Sequence, residues 1–183
     1  PLTSFPFALC VLCAHSVRSM CILCAVLPHQ TVLQNPIIEA ESNAYWIIDK
    51  SGMEFALGGL NATARDYAKL GKLYPDSGRW QGKQIVPEKW VLASITPDAP
   101  HLTPGPRNNA LRKDGYGYQW WIPYGSEDEF NAQGIYGQFI YVDPDKNIVI
   151  VKLSSNYHFK KDKTGFFHDI EIALFREIVN AIS

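Results

Sequence analysis

"QGIYGQFIYVDPDKNIVIVKLSSN", residues 133–156, is the stretch on which the fold turns. Two apolar runs, rich in aromatic and β-branched residues, flank Asp143-Pro144-Asp145-Lys146-Asn147, a segment dense in turn formers. The stretch reads as a β-hairpin. Its first arm is expected to begin near Phe130 and to place Gly134-Ile135-Tyr136-Gly137 on a strand paired with the second arm, Ile148–Leu153. That second arm is nearly continuous in Ile and Val, the pattern of a central strand buried on both faces.

Just upstream, "GYGYQWWIP" at 115–123 reads as one further strand. Trp120 and Trp121 then fall on opposite faces, one in the core and the other at a cleft. Just downstream lies "TGFFHDIEIALFREIVNAI", residues 164–182. Phe167, Ile170, Leu174, Ile178 and Ile182 recur at three- and four-residue steps, which predicts an amphipathic helix laid across the sheet on that stripe.

Further toward the N-terminus, "AYWIIDKSG" at 44–52 reads as a strand running into a turn, and "MEFALGGL" at 53–60 as a short strand ending in Gly58-Gly59, where backbone can approach closely. "NATARDYAKLGKLY" at 61–74 is a helix with Thr63 as its cap and Asp66 in the first turn. Gly71 weakens that helix but permits close packing. "PDSGRWQGKQIV" is a turn and short hairpin, and Pro87 is expected at the first helical position of "PEKWVLASI". Residues 96–114 form a long loop with four prolines. The order of strand pair, helices, antiparallel strands and terminal helix gives an α+β class, an antiparallel sheet packed by helices.

Composition narrows the function. The chain has 183 residues, 46% hydrophobic and 19% charged, with a net charge of −1, so a nucleic-acid partner is not expected. All four cysteines, Cys10, Cys13, Cys21 and Cys24, lie in the first 24 residues. Apolar Val-Leu and Ile-Leu pairs separate them where metal knuckles need tight polar or glycine turns, so neither a metal nor a cofactor is expected. Residues 5–27 are long and apolar enough to suggest membrane contact, but Arg18, with His15, Ser16 and Ser19, interrupts the middle. Residues 1–32 are therefore left as an unassigned apolar, Cys-rich segment, and 33–183 as the domain. His101, His158 and His168 show no metal spacing and are expected on the surface; Trp46, Trp80 and Trp90 are expected to pack in the core.

The combination of "GGLNATARDYAKLG" with Gly134-Ile135-Tyr136-Gly137-Gln138 ahead of a Val-Asp-Pro turn resembles the β-lactamase-related serine hydrolases. It is most similar to the branch of class C-like esterases and 6-aminohexanoate-dimer hydrolases, over about residues 33–183. The resemblance implies a β-lactamase/transpeptidase-like fold, a small ester or amide substrate, a Ser-x-x-Lys nucleophile motif and a Tyr-x-Asn motif. In this chain no serine has a lysine three residues later, and no tyrosine has an asparagine two residues later. Both motifs lie upstream in the family, so the chain is expected to be the C-terminal part of the domain, incomplete and inactive alone. By resemblance, the Ile135 backbone N–H is an oxyanion donor, Gly134 lets the strand approach substrate without a Cβ, and Tyr136 and Gln138 border the substrate. Asn61, just before a helix, either hydrogen-bonds a substrate amide or serves as a turn or helix-start residue. A non-catalytic binding or structural domain is the other reading.

Lys163-Thr164-Gly165 also matches a short motif of penicillin-recognising enzymes. The cleft-lining motif needs a strand hairpin after it, whereas here an apolar helix follows at once. Thr164 is expected to cap that helix, and the Gly134 strand takes the motif's place.

Overall fold

The computed structural model describes residues 32–33, 39–47, 49–50, 53, 59–107, 112–126, 128–161 and 166–183. The Cys-rich segment and Lys163-Thr164-Gly165 lie outside them. Among the described residues no helix is long and apolar enough to cross a membrane.

Strands β1 (Val32–Leu33), β2 (Ala44–Trp46) and β3 (Leu60–Asn61) form a small antiparallel sheet in that order. Gly59, at φ +91°, passes so close to β2 that an added Cβ would sit 2.9 Å from the Ile47 Cβ, which accounts for the glycine. The paired residues are Leu60 and Asn61, just beyond the Gly58-Gly59 end expected for this strand.

Helix α1 (Ala64–Lys72) starts as the sequence predicts. The Thr63 hydroxyl accepts from the Asp66 N–H at 3.1 Å and donates to the Asp66 carboxylate at 2.8 Å. Asp66 also accepts from the Glu41 backbone N–H at 2.8 Å and pairs with Lys69. Burial raises the Asp66 carboxyl, but the Glu41 N–H, the Thr63 hydroxyl and Lys69 outweigh it and hold the carboxyl below its ordinary value of 3.8. A depressed native value means stability that is full above the ordinary carboxylate range and is lost as pH falls through the native value. Asp66→Asn should therefore cost about 1–3 kcal/mol at neutral pH. The gap from the parent should narrow as pH drops below 3.8, read from denaturant midpoints across pH. A gap independent of pH would mean that the carboxylate charge contributes nothing.

The β4 (Arg79–Trp80)–β5 (Lys83–Gln84) hairpin and helix α2 (Glu88–Ile95) follow. Pro87 stands at the N-cap of α2, one residue before the position predicted, with extended backbone at ψ 133°. The region 115–123 is not one strand. It folds into β6 (Gly115–Tyr116) and β7 (Trp121–Ile122), paired with each other around a tight turn. The Tyr118 N–H donates to the Ser94 carbonyl at 2.7 Å. A Cβ at Gly117 would lie 2.1 Å from that same oxygen, so the missing side chain lets the chain press onto α2 and reverse.

The hairpin of the opening stretch is also more folded than expected. Tyr136 and Gly137 have φ of +64° and +77° and turn the chain back, which divides the first arm into β8 (Phe130–Gly134) and β9 (Gln138–Asp143). Only β9 pairs with β10 (Ile148–Lys152); Gly134-Ile135-Tyr136-Gly137 does not. The sheet runs β10-β9-β8-β7-β6. Strand β8 is thus the middle strand and β9 an interior one beside it, while β10 is an edge among the described residues. The Asp143–Asn147 turn forms as read, with the Lys146 N–H donating to the Asp143 carboxylate at 2.9 Å.

Both faces of β9 are covered. Ile140 and Val142 join a core with Tyr67, Leu70, Leu73 and Tyr74 from the α1 side, and with Val91, Trp120 and Phe130. Trp120 donates its indole N–H to the Tyr74 hydroxyl, while Trp46, Trp80 and Trp90 pack at the margin of this core. Phe139 and Tyr141 face the other way, onto Ile172, Phe175 and Val179 of α3 (Phe166–Ile182). The result is a helix–sheet–helix sandwich.

Helix α3 docks on a different face from the one predicted. Ile172, Phe175 and Val179 are 4%, 1% and 2% exposed, while Phe167, Ile170, Leu174, Ile178 and Ile182 are 36% to 64% exposed. Both sets have helical spacing, so periodicity alone admits either face. The aromatic fit decides: the Phe175 ring sits 5.4 Å from Phe139 and 5.2 Å from Tyr141.

Candidate functional site

Gly134, Ile135, Tyr136 and Gln138 come together on the β8–β9 turn. Tyr136 holds a left-handed backbone that side chains other than glycine adopt at a cost of about 1–2 kcal/mol. The surroundings fix it. The Gln138 side-chain amide donates to the Ile135 carbonyl at 3.2 Å. The Asn156 backbone N–H donates to the Tyr136 carbonyl at 3.1 Å. The Lys152 ammonium donates to the Gly137 carbonyl at 3.0 Å. All three carbonyls of the turn are therefore hydrogen-bonded, which restrains its peptide planes. The Tyr136 ring meets Phe159 edge-on at 6.4 Å between centroids.

Gln138 is buried, which gives its side chain a defined task in closing the turn. Asn61 lies apart, at the end of β3. Its amide donates to the Gly59 carbonyl at 2.9 Å and reaches the Tyr45 carbonyl at 3.4 Å, bonds that tie β2 to β3. Lys163-Thr164-Gly165 is outside the described residues, but the chain is already helical at Phe166, so no strand follows the tripeptide there.

A polar group behind β8 was not foreseen. His168 was expected on the surface but is buried in the first turn of α3, one helical turn before Ile172 on its inner face. The correction has a physical cause: Asp114 and Gln133 supply polar partners that let an imidazole sit inside. Asp114 Oδ2 is 3.1 Å from His168 Nε2, and Gln133 Nε2 is 2.9 Å from the same nitrogen. Gln133 meets the ring at Nε2, and Asp169 Oδ1 stands 3.2 Å from Nδ1 on its other side. Arg112 donates to the Gln133 side-chain oxygen at 2.6 Å. Asp114, His168 and Arg176 border a cavity of about 230 Å³ between the 113–124 segment and α3. The signal available in the sequence was the spacing of His168, Ile172, Phe175 and Val179, which places the histidine on a packed face. His101 and His158 are exposed, as read.

Comparison with known proteins agrees with this architecture. The family described as Beta-lactamase matches residues 25–174. The 6-aminohexanoate-dimer hydrolase of Paenarthrobacter ureafaciens is 30% identical over 148 residues, covering 79% of this chain and 36% of that protein. A solved structure assigned as a 6-aminohexanoate-dimer hydrolase from Bacillus anthracis superposes with a TM-score of 0.65 at 31% identity, over 81% of this chain and 36% of that one. The chain thus spans about a third of the length of these relatives. With the match running through both the small sheet and the whole of the five-stranded one, this chain belongs to the beta-lactamase family.

Proposed function

We propose that this chain forms one wall of a serine-hydrolase cleft for small esters or amides, with the Ile135 N–H as one oxyanion donor. The observation that carries the reading is the β8–β9 turn, a strained backbone whose three carbonyls are all hydrogen-bonded, two of them from Asn156 and Lys152 outside it. Acyl transfer needs donors fixed in advance, because a donor that must reorganise during reaction stabilises the developing oxyanion poorly. The names of the relatives support hydrolysis of an amide-linked substrate. The nucleophile and base would come from outside this sequence, which has neither Ser-x-x-Lys nor Tyr-x-Asn.

Two surfaces support a docking role for the rest of such a domain. One is the exposed apolar stripe of α3, and the other is the edge of β10, which pairs with β9 alone among the described residues. The absent motifs equally favour a second reading, a non-catalytic hydrolase-like domain kept for binding or structure. The two are separated by joining residues 33–183 to the N-terminal part of a relative that carries Ser-x-x-Lys and Tyr-x-Asn. Hydrolysis of p-nitrophenyl acetate well above background supports the first reading. A folded but inert product supports the second.

A further inference from the structure

We infer that Lys152 is a positioning residue for the oxyanion turn, locking Ile135 through the Gly137 carbonyl. The inference rests on the proposed function and goes beyond it, because Lys152 belongs to neither the turn nor a recognised motif. Lys152 is the last residue of β10. Its partly buried ammonium makes two bonds, to the Gly137 carbonyl at 3.0 Å and to Glu171 Oε1 of α3 at 2.7 Å. The link therefore runs from α3 through β10 to the turn. Charge-assisted bonds of this kind are roughly twice as strong as neutral ones. Glu171 also holds the ammonium in place and partly offsets its desolvation.

The strain at the turn explains why such a lock is needed. Tyr136 and Gly137 are both left-handed, a state that persists only where the surroundings over-determine it. Of the three donors, Gln138 is adjacent to the turn and Asn156 offers a backbone N–H. Lys152 is the only one of these three that comes from a distant side chain, and so the only one that substitution removes without altering the turn's own sequence. Without it the Gly137 plane is free to rotate, Tyr136 relaxes toward φ below zero, and the Ile135 N–H swings off its axis. Misplacing a catalytic donor by about 1 Å is enough to cost on the order of 100-fold in rate.

The test uses Lys152→Met, which keeps the length of the side chain without its charge. Lys152→Met/Glu171→Gln removes the carboxylate left unpaired, and Lys152→Arg restores a cation. In this chain, amide resonances of Ile135, Tyr136 and Gly137 should shift or broaden in both methionine variants, while those of α1 and the centre of β9 stay in place. In the joined enzyme, kcat for p-nitrophenyl acetate should fall ~10- to 100-fold with KM nearly unchanged, and Lys152→Arg should recover most of it. Unmoved turn resonances, or a kcat equal to that of the parent, would overturn the inference. So would losses of kcat, KM and melting temperature that move together, since that is what a merely structural residue would give. If the joined parent fails to hydrolyse, the proposed function fails, and the amide resonances alone decide whether Lys152 holds the turn.

Discussion

Gly71→Leu should loosen the main core and lower stability by about 3 kcal/mol, the upper end of what overpacking usually costs. Gly71 is where α1 meets the sheet. A Cβ built there would lie 2.6 Å from Val149 Cγ1 and 3.1 Å from Ile140 Cγ2. Ile140 is buried in β9, an interior strand, and cannot retreat, so the helix itself must lift. Lifting α1 also pulls on Leu70 and Leu73, which fill the same core. Gly71→Ala separates the two effects. Alanine gains about 1 kcal/mol of helix propensity, and the close contact takes some or all of it back. Denaturant midpoints of the two variants check the account. A leucine variant as stable as the parent would mean that α1 has room to spare.

The second large effect concerns catalysis in the joined enzyme. Gly134→Val should reduce ester hydrolysis by ~100- to 1000-fold, the range seen when one oxyanion donor is lost. Gly134 is the last residue of β8 and directly precedes Ile135. In the proposed cleft a branched side chain there would occupy the space kept for the acyl group and disturb the peptide plane that carries the Ile135 N–H. Lys163→Ala is the companion experiment. The residue stands just ahead of a helix, so its loss should leave hydrolysis unchanged and cost no more than ~0.5 kcal/mol of stability. Steady-state rates on p-nitrophenyl acetate, with circular dichroism to confirm folding, read both. An enzyme that tolerated Gly134→Val but lost activity on Lys163→Ala would place the third motif at the tripeptide.

Much of this architecture was legible because local signals and the fold agree. Thr63 and Asp66 mark the start of α1 by side-chain chemistry that acts within four residues. Gly71 announced close packing by its size, and Asp143-Pro144-Asp145 announced a turn by its composition. The misreadings share a different cause. The turn at Tyr136-Gly137 has no Asn-Gly or Asp-Gly pair, and Asn156 and Lys152 from elsewhere in the chain bond its Tyr136 and Gly137 carbonyls. The docking face of α3 depends on which of two apolar stripes meets Phe139 and Tyr141, and helical periodicity does not contain that choice. His168 was misjudged for the same reason, since Asp114 and Gln133 reach it only once β6, β8 and α3 are assembled. The proposed site residues Gly134 to Gln138 come from resemblance to a family, while the Lys152 bond to the Gly137 carbonyl appears only in three dimensions.

If this chain supplies the proposed oxyanion wall and no nucleophile, a serine-directed probe finds nothing to label in it. Labelling with a fluorophosphonate probe tests it most directly, since the probe needs an activated serine and reports it by mass. The chain alone should remain unlabelled, and the joined enzyme should take up one probe on the serine of its Ser-x-x-Lys motif, with less uptake in Gly134→Val. Stoichiometric labelling of any serine in the chain alone would contradict the account.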